Sequence, residues 1–261
     1  MEDYRSSSLF DVRGRKALVV GGTKGLGKEM AACLMENGCD AFIVSRHVEG
    51  NEDLKEVAKQ NNVKIHLYAC DVMDSTAVAK MVQDACAAMG RIDILVNSAG
   101  RNIVKWVTEM DDESWDAVLD LNLRANFVIL REVSKVMKAQ KYGKIINMSS
   151  MKSLMGTSGS GYTAYCASKG AINMLTKQLA CELAADGITV NALAPTFIET
   201  AINRHQLQDP VFKGELEARI PVGRIGQFRD LMGLLLLLSS DASQFLTGQI
   251  YYINGGIDAR Q

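Results

Sequence analysis

The sequence predicts one doubly wound α/β domain, a seven-stranded parallel sheet with helices on both faces. Three observations carry this. Short apolar runs alternate with longer segments whose apolar residues recur at helical spacing. The apolar runs are separated by stretches long enough to be crossovers, which parallel pairing requires. The chain has 261 residues, is 48% hydrophobic and has only three prolines, with no linker, internal repeat or low-complexity segment. A single domain over 1–261 with a sizeable core follows.

The elements read off in order. Lys16–Val20 is a short apolar strand. Leu26 to Asn37 carries Leu26, Met30, Cys33 and Leu34 at helical spacing, and Gly38 stops it. Ala41–Val44 is the second strand, Leu54–Gln60 a helix and Lys64–Ala69 the third strand. Thr76–Met89 is helical and closes at Gly90; Asp93–Val96 is the fourth strand. Asp112–Ala139 reads as one long helix with a break near its start, followed by the strand Lys144–Met148. Thr163–Ala185 is a second long helix closed by Gly187, and Thr189–Leu193 the sixth strand. A polar region comes next, then a helix around Leu231–Leu238 and a last strand, Ile250–Ile253.

Composition excludes several classes. The net charge is −1 with Lys and Arg spread along the chain, so no nucleic-acid footprint is expected. Leu231–Leu238 is too short to span a bilayer and suits a buried or subunit-interface helix. The first eight residues lack the apolar core of a secretory signal. Cys33, Cys39, Cys70, Cys86, Cys166 and Cys181 form no Cys-x-x-Cys pair and suit a reducing cytoplasm. His47, His66 and His205 are far apart in sequence, so no metal site is expected.

Gly21-Gly-Thr-Lys-Gly25-Leu-Gly27 lies between a strand and a helix, the context of a phosphate-binding turn. Its glycines permit a tight turn and close backbone approach, and the helix start offers free N–H groups to a pyrophosphate. The second strand ends in Val44-Ser45-Arg46-His47, without the carboxylate that would repel a ribose 2′-phosphate. Arg46 can pair with a phosphate and Ser45 can donate to it; Lys24 adds a second cation. Asp71, after the third strand, suits a cap of the following turn.

Tyr165-Cys-Ala-Ser-Lys169 lies on a predicted helix, where residues four apart share a face. A phenol and an ammonium then front one cleft, the cation favouring the phenolate. Tyr162 has Cys166, not lysine, four residues on.

These motifs, with Asn97-Ser-Ala99-Gly100, Asn122 and Ser149-Ser150, occur in the order of the short-chain dehydrogenase/reductase family. The sequence resembles that family from about Gly14 to Gly256. The resemblance implies a Rossmann-like fold and hydride transfer between a nicotinamide and a ketone or secondary alcohol. It implies catalysis by Tyr165 and Lys169, with Ser150 holding the substrate oxygen and Asn122 supporting a water linked to Lys169. Tyr165 would act as the proton donor, its pKa kept low by Lys169. The implied cofactor contacts are Gly21, Thr23, Lys24, Gly25, Leu26, Gly27, Ser45, Arg46, Asp71, Val72, Asn97, Ala99 and Gly100. Tyr165, Lys169, Pro195, Thr196, Ile198 and Thr200 complete them. Lys24 and Arg46 match the family's NADP-preferring pattern, with NAD(H) as the alternative cofactor.

Three departures stand out. Val20 occupies a position that is usually Thr, Thr196 replaces a usual Gly, and Ser150 and Tyr165 are separated by more residues than the family's usual spacing. The extra length falls in Gly156–Gly161. A substrate lid over 196–220 and a homotetramer, or else a dimer, are further implications. Glu109-Met110, Trp115 and Gly143–Met151 resemble the branch acting on sugar acids, such as gluconate 5-dehydrogenases. Arg101 and Lys152 are candidates to clamp a substrate carboxylate. The 3-oxoacyl-carrier-protein reductases and hydroxysteroid dehydrogenases share the same core motifs. A regulatory nucleotide-binding protein is the rival of another class.

Overall fold

The computed structural model describes residues 5–200 and 204–259. A short helix α1 (Ser6–Leu9) precedes β1 (Lys16–Val20). The chain continues through α2 (Gly25–Glu36), β2 (Asp40–Ser45), α3 (Glu52–Gln60), β3 (Ile65–Ala69), α4 (Ser75–Met89) and β4 (Ile94–Asn97). Then come α5 (Asp112–Leu119), α6 (Asn126–Gln140), β5 (Gly143–Met148), α7 (Thr163–Leu183) and β6 (Ile188–Pro195). Last are α8 (Pro210–Arg219), α9 (Arg229–Ser239) and β7 (Ile250–Ile253).

The seven strands form one parallel sheet in the order β3-β2-β1-β4-β5-β6-β7. Side chains alternate between its faces, so neighbouring residues feed different cores. Leu18, Phe42, Leu95 and Ile145 pack under α4 and α6 with Met81, Ile129 and Met137. Val19, Ile43, Val96 and Ile146 pack on the other face with Met30 and Leu34 of α2 and Leu235 of α9. Burial on both faces explains why β1 and β4 read as continuous apolar runs.

Strand order reverses between β1 and β4. Val20 pairs in register with Val44 and Asn97, and Asn97 with Asn147, so the carboxyl ends of β1, β2, β4 and β5 stop at one level. The crevice beyond these ends is where an open α/β sheet binds ligands.

Local chemistry sets the helix limits. Asp74 caps α4 by accepting from the Thr76 and Ala77 amides, and Gly90 closes it at φ 81°. The region expected as one helix over 112–139 is divided by a π-helical turn, Asp120–Ala125. Such turns recur at functional sites, and this one carries Asn122. In the polar region after β6, Asp209 caps α8 with Pro210 in its first turn, a helix that the composition had hidden. Of the proposed lid over 196–220, residues 201–203 lie outside the described residues. Around them, Ile198 bridges to Gly226 and α8 follows. Among the described residues no helix is long and apolar enough to cross a membrane.

Candidate active site

A cleft of about 580 Å³ opens at the strand ends. Its floor is the turn between β1 and α2. Gly21 adopts φ 78°, and a methyl group there would lie 2.9 Å from the Ala99 amide nitrogen. A methyl at Gly27 would overlap the Gly21 carbonyl. The turn is therefore packed to the limit of glycine and leaves its backbone facing the cleft. Val20, where the family usually has Thr, is buried, and its carbonyl accepts from the Ser98 amide at 2.9 Å. Gly21 N–H donates to Val44 O at 2.8 Å, so the turn holds without the Thr hydroxyl.

Thr23, Lys24, Gly25 and Leu26 line this end with Ser45, Arg46, Asp71 and Val72. The Thr23 hydroxyl donates to His47 O at 3.3 Å, tying the glycine turn to the loop after β2. Lys24 and Arg46 are exposed, and among the described residues neither is paired with a carboxylate. Asp71 accepts from the Met73 amide at 3.0 Å, so one carboxylate oxygen caps the turn after β3 while the residue still borders the cleft.

At the other end, Ala99, Gly100, Ser150, Tyr165, Lys169, Pro195, Thr196 and Thr200 line the same cleft. Three residues of the sequence prediction do not. Asn97 is buried at the end of β4. Ile198 lines a smaller adjoining pocket of about 190 Å³. Asn122 is fully buried behind the cleft wall; its amide bonds both backbone groups of Arg101 at 2.8 Å and the Ser168 hydroxyl at 3.0 Å. Asn122 thus anchors the loop after Gly100, a position where a methyl group would press on Asn122 Oδ1 at 3.2 Å. Met73, Leu121 and Met148 also line the cleft and were not singled out in the sequence. Being apolar residues outside any motif, they carry no local signal.

Tyr165 and Lys169 face the cleft one turn apart on α7. The Ser150 hydroxyl stands beside the Tyr165 phenol and favours its phenolate, but burial outweighs this and pushes the phenol above its ordinary value of 10. Lys169 does not act as the expected counterweight. Its ammonium donates to Met148 O at 2.7 Å and lies 5.5 Å from the Tyr165 ring centroid. Burial pushes Lys169 itself down to about 8.

Ser149 and Ser150 separate by environment. Ser149 donates to Asn173 at 2.6 Å, whereas Ser150 accepts from the Lys152 amide at 3.2 Å and meets Tyr165. The long Gly156–Gly161 loop is held down: Lys105 N–H donates to Gly161 O at 3.0 Å, and Gly161 sits against the Lys105 backbone. Lys152 is half-buried with its ammonium 5.2 Å from the Tyr162 ring centroid, and the two tyrosine rings lie 6.4 Å apart. Burial, reinforced by the nearby Arg219 cation, lowers the Lys152 pKa. Among the described residues no group of His, Cys, Asp and Glu is placed to hold a metal ion.

A family model described as Enoyl-(Acyl carrier protein) reductase matches residues 20–258. The chain is 36% identical to a 2-dehydro-3-deoxy-D-gluconate 5-dehydrogenase of Pseudoalteromonas atlantica, over 95% of this chain and 97% of that one. It is 34% identical to a 3-oxoacyl-(acyl-carrier-protein) reductase of Rickettsia conorii, over 95% and 99%. A crystal structure of a gluconate 5-dehydrogenase from Burkholderia cenocepacia, in complex with NADP and tartrate, superposes with a TM-score of 0.92 at 33% identity, covering 98% and 100% of the two chains. The chain belongs to the short-chain dehydrogenase/reductase family, oxidoreductases acting on CH–OH and C=O groups.

Proposed function

We propose that this short-chain dehydrogenase/reductase is an NADP(H)-dependent enzyme interconverting a ketone and a secondary alcohol on a sugar acid. The observation that carries the reading is Ser150, Tyr165 and Lys169 facing the same cleft as the glycine turn, with the Ser150 hydroxyl favouring the Tyr165 phenolate. The turn fits a dinucleotide: Gly21, Gly25 and Gly27 line the cleft in a turn that has no room for side chains at 21 and 27, and among the described residues Lys24 and Arg46 have no carboxylate partner at the end where a 2′-phosphate would lie. The bound nicotinamide supplies or accepts the hydride.

The remaining chemistry belongs to the chain. In reduction, Ser150 orients the substrate oxygen and Tyr165 gives it the phenolic proton. The raised pKa keeps Tyr165 protonated at neutral pH, the form that reduction needs. As the proton leaves, the Ser150 hydroxyl favours the phenolate, and Lys169 is held beside the ring by its bond to Met148 O. Asn122 holds the cleft wall beside them through Arg101. Lys152, with no acidic partner among the described residues, suits the substrate carboxylate, and exposed Arg101 at the cleft edge is a second candidate. The sugar-acid names of similar proteins support the same substrate class. An acyl thioester is the second reading: exposed Val104, Trp106, Val107, Leu154 and Met155 offer apolar surface that a sugar acid does not need.

Tyr165→Phe tests the chemistry. It should keep NADPH binding and lose about two to four orders of magnitude in turnover, while Tyr162→Phe stays near parental. Parental turnover in Tyr165→Phe refutes the assignment and leaves the regulatory reading. A panel of sugar acids, neutral ketones and acyl thioesters decides the substrate.

Assembly and compartment are part of the same reading. Met232, Leu234, Leu236 and Leu237 of α9 and all of β7 are only half-buried, and Phe245 is fully exposed. Covering this apolar face by a second copy gives a dimer, and pairing two such dimers gives the proposed homotetramer. Light scattering should read four subunits; a monomer at micromolar concentration refutes it. Six free cysteines suit the cytoplasm.

A further inference from the structure

Tyr165, Lys169 and Asn173 recur every four residues on α7, and the third has no part in the chemistry above. Asn173 is 9% exposed, and three of the four hydrogen bonds its amide can make are used. Its Oδ1 accepts from the Ser149 hydroxyl at 2.6 Å. Its Nδ2 donates to the Ser153 hydroxyl at 2.8 Å and to the Tyr252 hydroxyl of β7 at 3.1 Å. Ser153 in turn donates through its hydroxyl to the Ser150 carbonyl at 2.5 Å, and through its amide to the same carbonyl at 2.9 Å.

One amide therefore grips the chain on both sides of Ser150: the residue before it directly, and the turn after it through Ser153. Ser150 has extended backbone, φ −162° and ψ 157°, and caps the short 3₁₀ turn Met151–Ser153. Such a turn has little intrinsic rigidity. Its bonds to α7 and β7 set where the Ser150 hydroxyl points.

We infer that Asn173 is a positioning residue for the reaction, holding Ser150 against Tyr165 through Ser149 and Ser153, with Tyr252 as its anchor on the last strand. The inference rests on the reading that Ser150 orients the substrate oxygen. A loosened Ser150 should reduce turnover and leave cofactor binding intact, because no bond of Asn173 reaches the glycine turn. Sub-ångström control of a reacting group matters this much because a misplacement of about 1 Å lowers rate by about a hundredfold.

The experiment is a double-mutant cycle with NADPH and a ketone substrate of the panel. Asn173→Ala should lower kcat about 10- to 100-fold and leave the NADPH dissociation constant, read by nicotinamide fluorescence, within about twofold. On a Ser150→Ala background it should lower kcat no further, since the hydroxyl it positions is gone. Tyr252→Phe, which removes one hydroxyl and keeps the ring, should show the same pattern at about two- to tenfold. The pH profile gives an independent readout. A Ser150 hydroxyl displaced from Tyr165 no longer lowers the phenol's pKa, so the alkaline fall of the reduction rate moves to higher pH in Asn173→Ala.

Parental kcat in a folded Asn173→Ala protein overturns the inference, as does an equal loss on the Ser150→Ala background. If Asn173→Ala does not fold, Tyr252→Phe decides on the same criteria. Parental turnover in Ser150→Ala alone refutes the underlying reading of Ser150, whatever Asn173 does.

Discussion

Lys144→Met should make this protein more stable at neutral pH. Lys144 lies in β5 with 1% of its surface exposed, at the strand end remote from Ser150. Its ammonium has one long hydrogen bond, 3.4 Å to the Ser243 hydroxyl, and stands 5.9 Å from the Tyr142 ring centroid. Asp241 faces it but is already engaged by Arg15 at 2.6 Å and by the Tyr142 hydroxyl at 2.9 Å. Burial therefore dominates and pushes the lysine from 10.5 down to about 8, the Arg15 cation adding to the fall and Asp241 opposing it. That displacement corresponds to about 3 kcal/mol against the charged form at pH 7. The penalty is fully present below pH 8 and is relieved as pH rises through the folded-state value toward 10.5, where the unfolded chain also loses its proton. Methionine keeps an unbranched apolar stem of similar length. Ser243 is left satisfied, because its hydroxyl already bonds the Leu238 and Ser240 carbonyls at 3.1 and 3.0 Å. After a discount for imperfect repacking, the gain at pH 7 should be about 1–3 kcal/mol, roughly 3–10 °C in melting temperature for a domain of this size. Thermal and urea unfolding of parent and variant at pH 7 and pH 10.5 measure it. The advantage should shrink at the higher pH, with turnover unchanged throughout. A variant less stable than the parent at pH 7, or a difference independent of pH, refutes the reasoning.

Two further outcomes concern the cofactor end of the cleft. Arg46→Asp removes a cation and installs a carboxylate where a 2′-phosphate would lie; catalytic efficiency with NADPH should fall roughly 10- to 150-fold and preference should move toward NADH. Equal efficiency of the parent enzyme with both cofactors contradicts the 2′-phosphate reading. Gly27→Ala forces a methyl against the Gly21 carbonyl, which should weaken NADPH binding about 5- to 150-fold while circular dichroism shows the fold retained. Parental affinity would mean that the turn relaxes at no penalty.

How much of this was legible depended on whether a feature was written locally or by tertiary contact. Strands β1, β2 and β4 were readable because burial on both faces leaves apolar runs, β5 because Ile145 and Ile146 lie between turn signals, and the boundaries of all four fell within a residue or two of expectation. The glycine turn and the Tyr165–Lys169 pair were readable because backbone sterics and helical periodicity act over a few residues. Helix α8 was not: its apolar residues are sparse and its start depends on the Asp209 cap and Pro210 rather than on a buried stripe. The direction of the Tyr165 pKa was not either. From sequence the lysine one turn away is the dominant neighbour; in the fold that ammonium is spent on the Met148 carbonyl and desolvation of the phenol prevails.

Asn173 lies between these cases. The four-residue repeat Tyr165, Lys169, Asn173 is visible in the chain, and it places an amide on the reactive face of α7. Nothing local says what that amide meets. Its partners come from 20 to 79 residues away, on the turn after β5 and on β7. Periodicity can nominate a face, but only the crossing of strands and helices at the sheet's carboxyl edge turns a face into a site. A polar residue that continues a catalytic spacing into the core is therefore worth testing even when no motif includes it. Its burial is tolerated only when its hydrogen bonds are met, and here the groups that meet them hold Ser150.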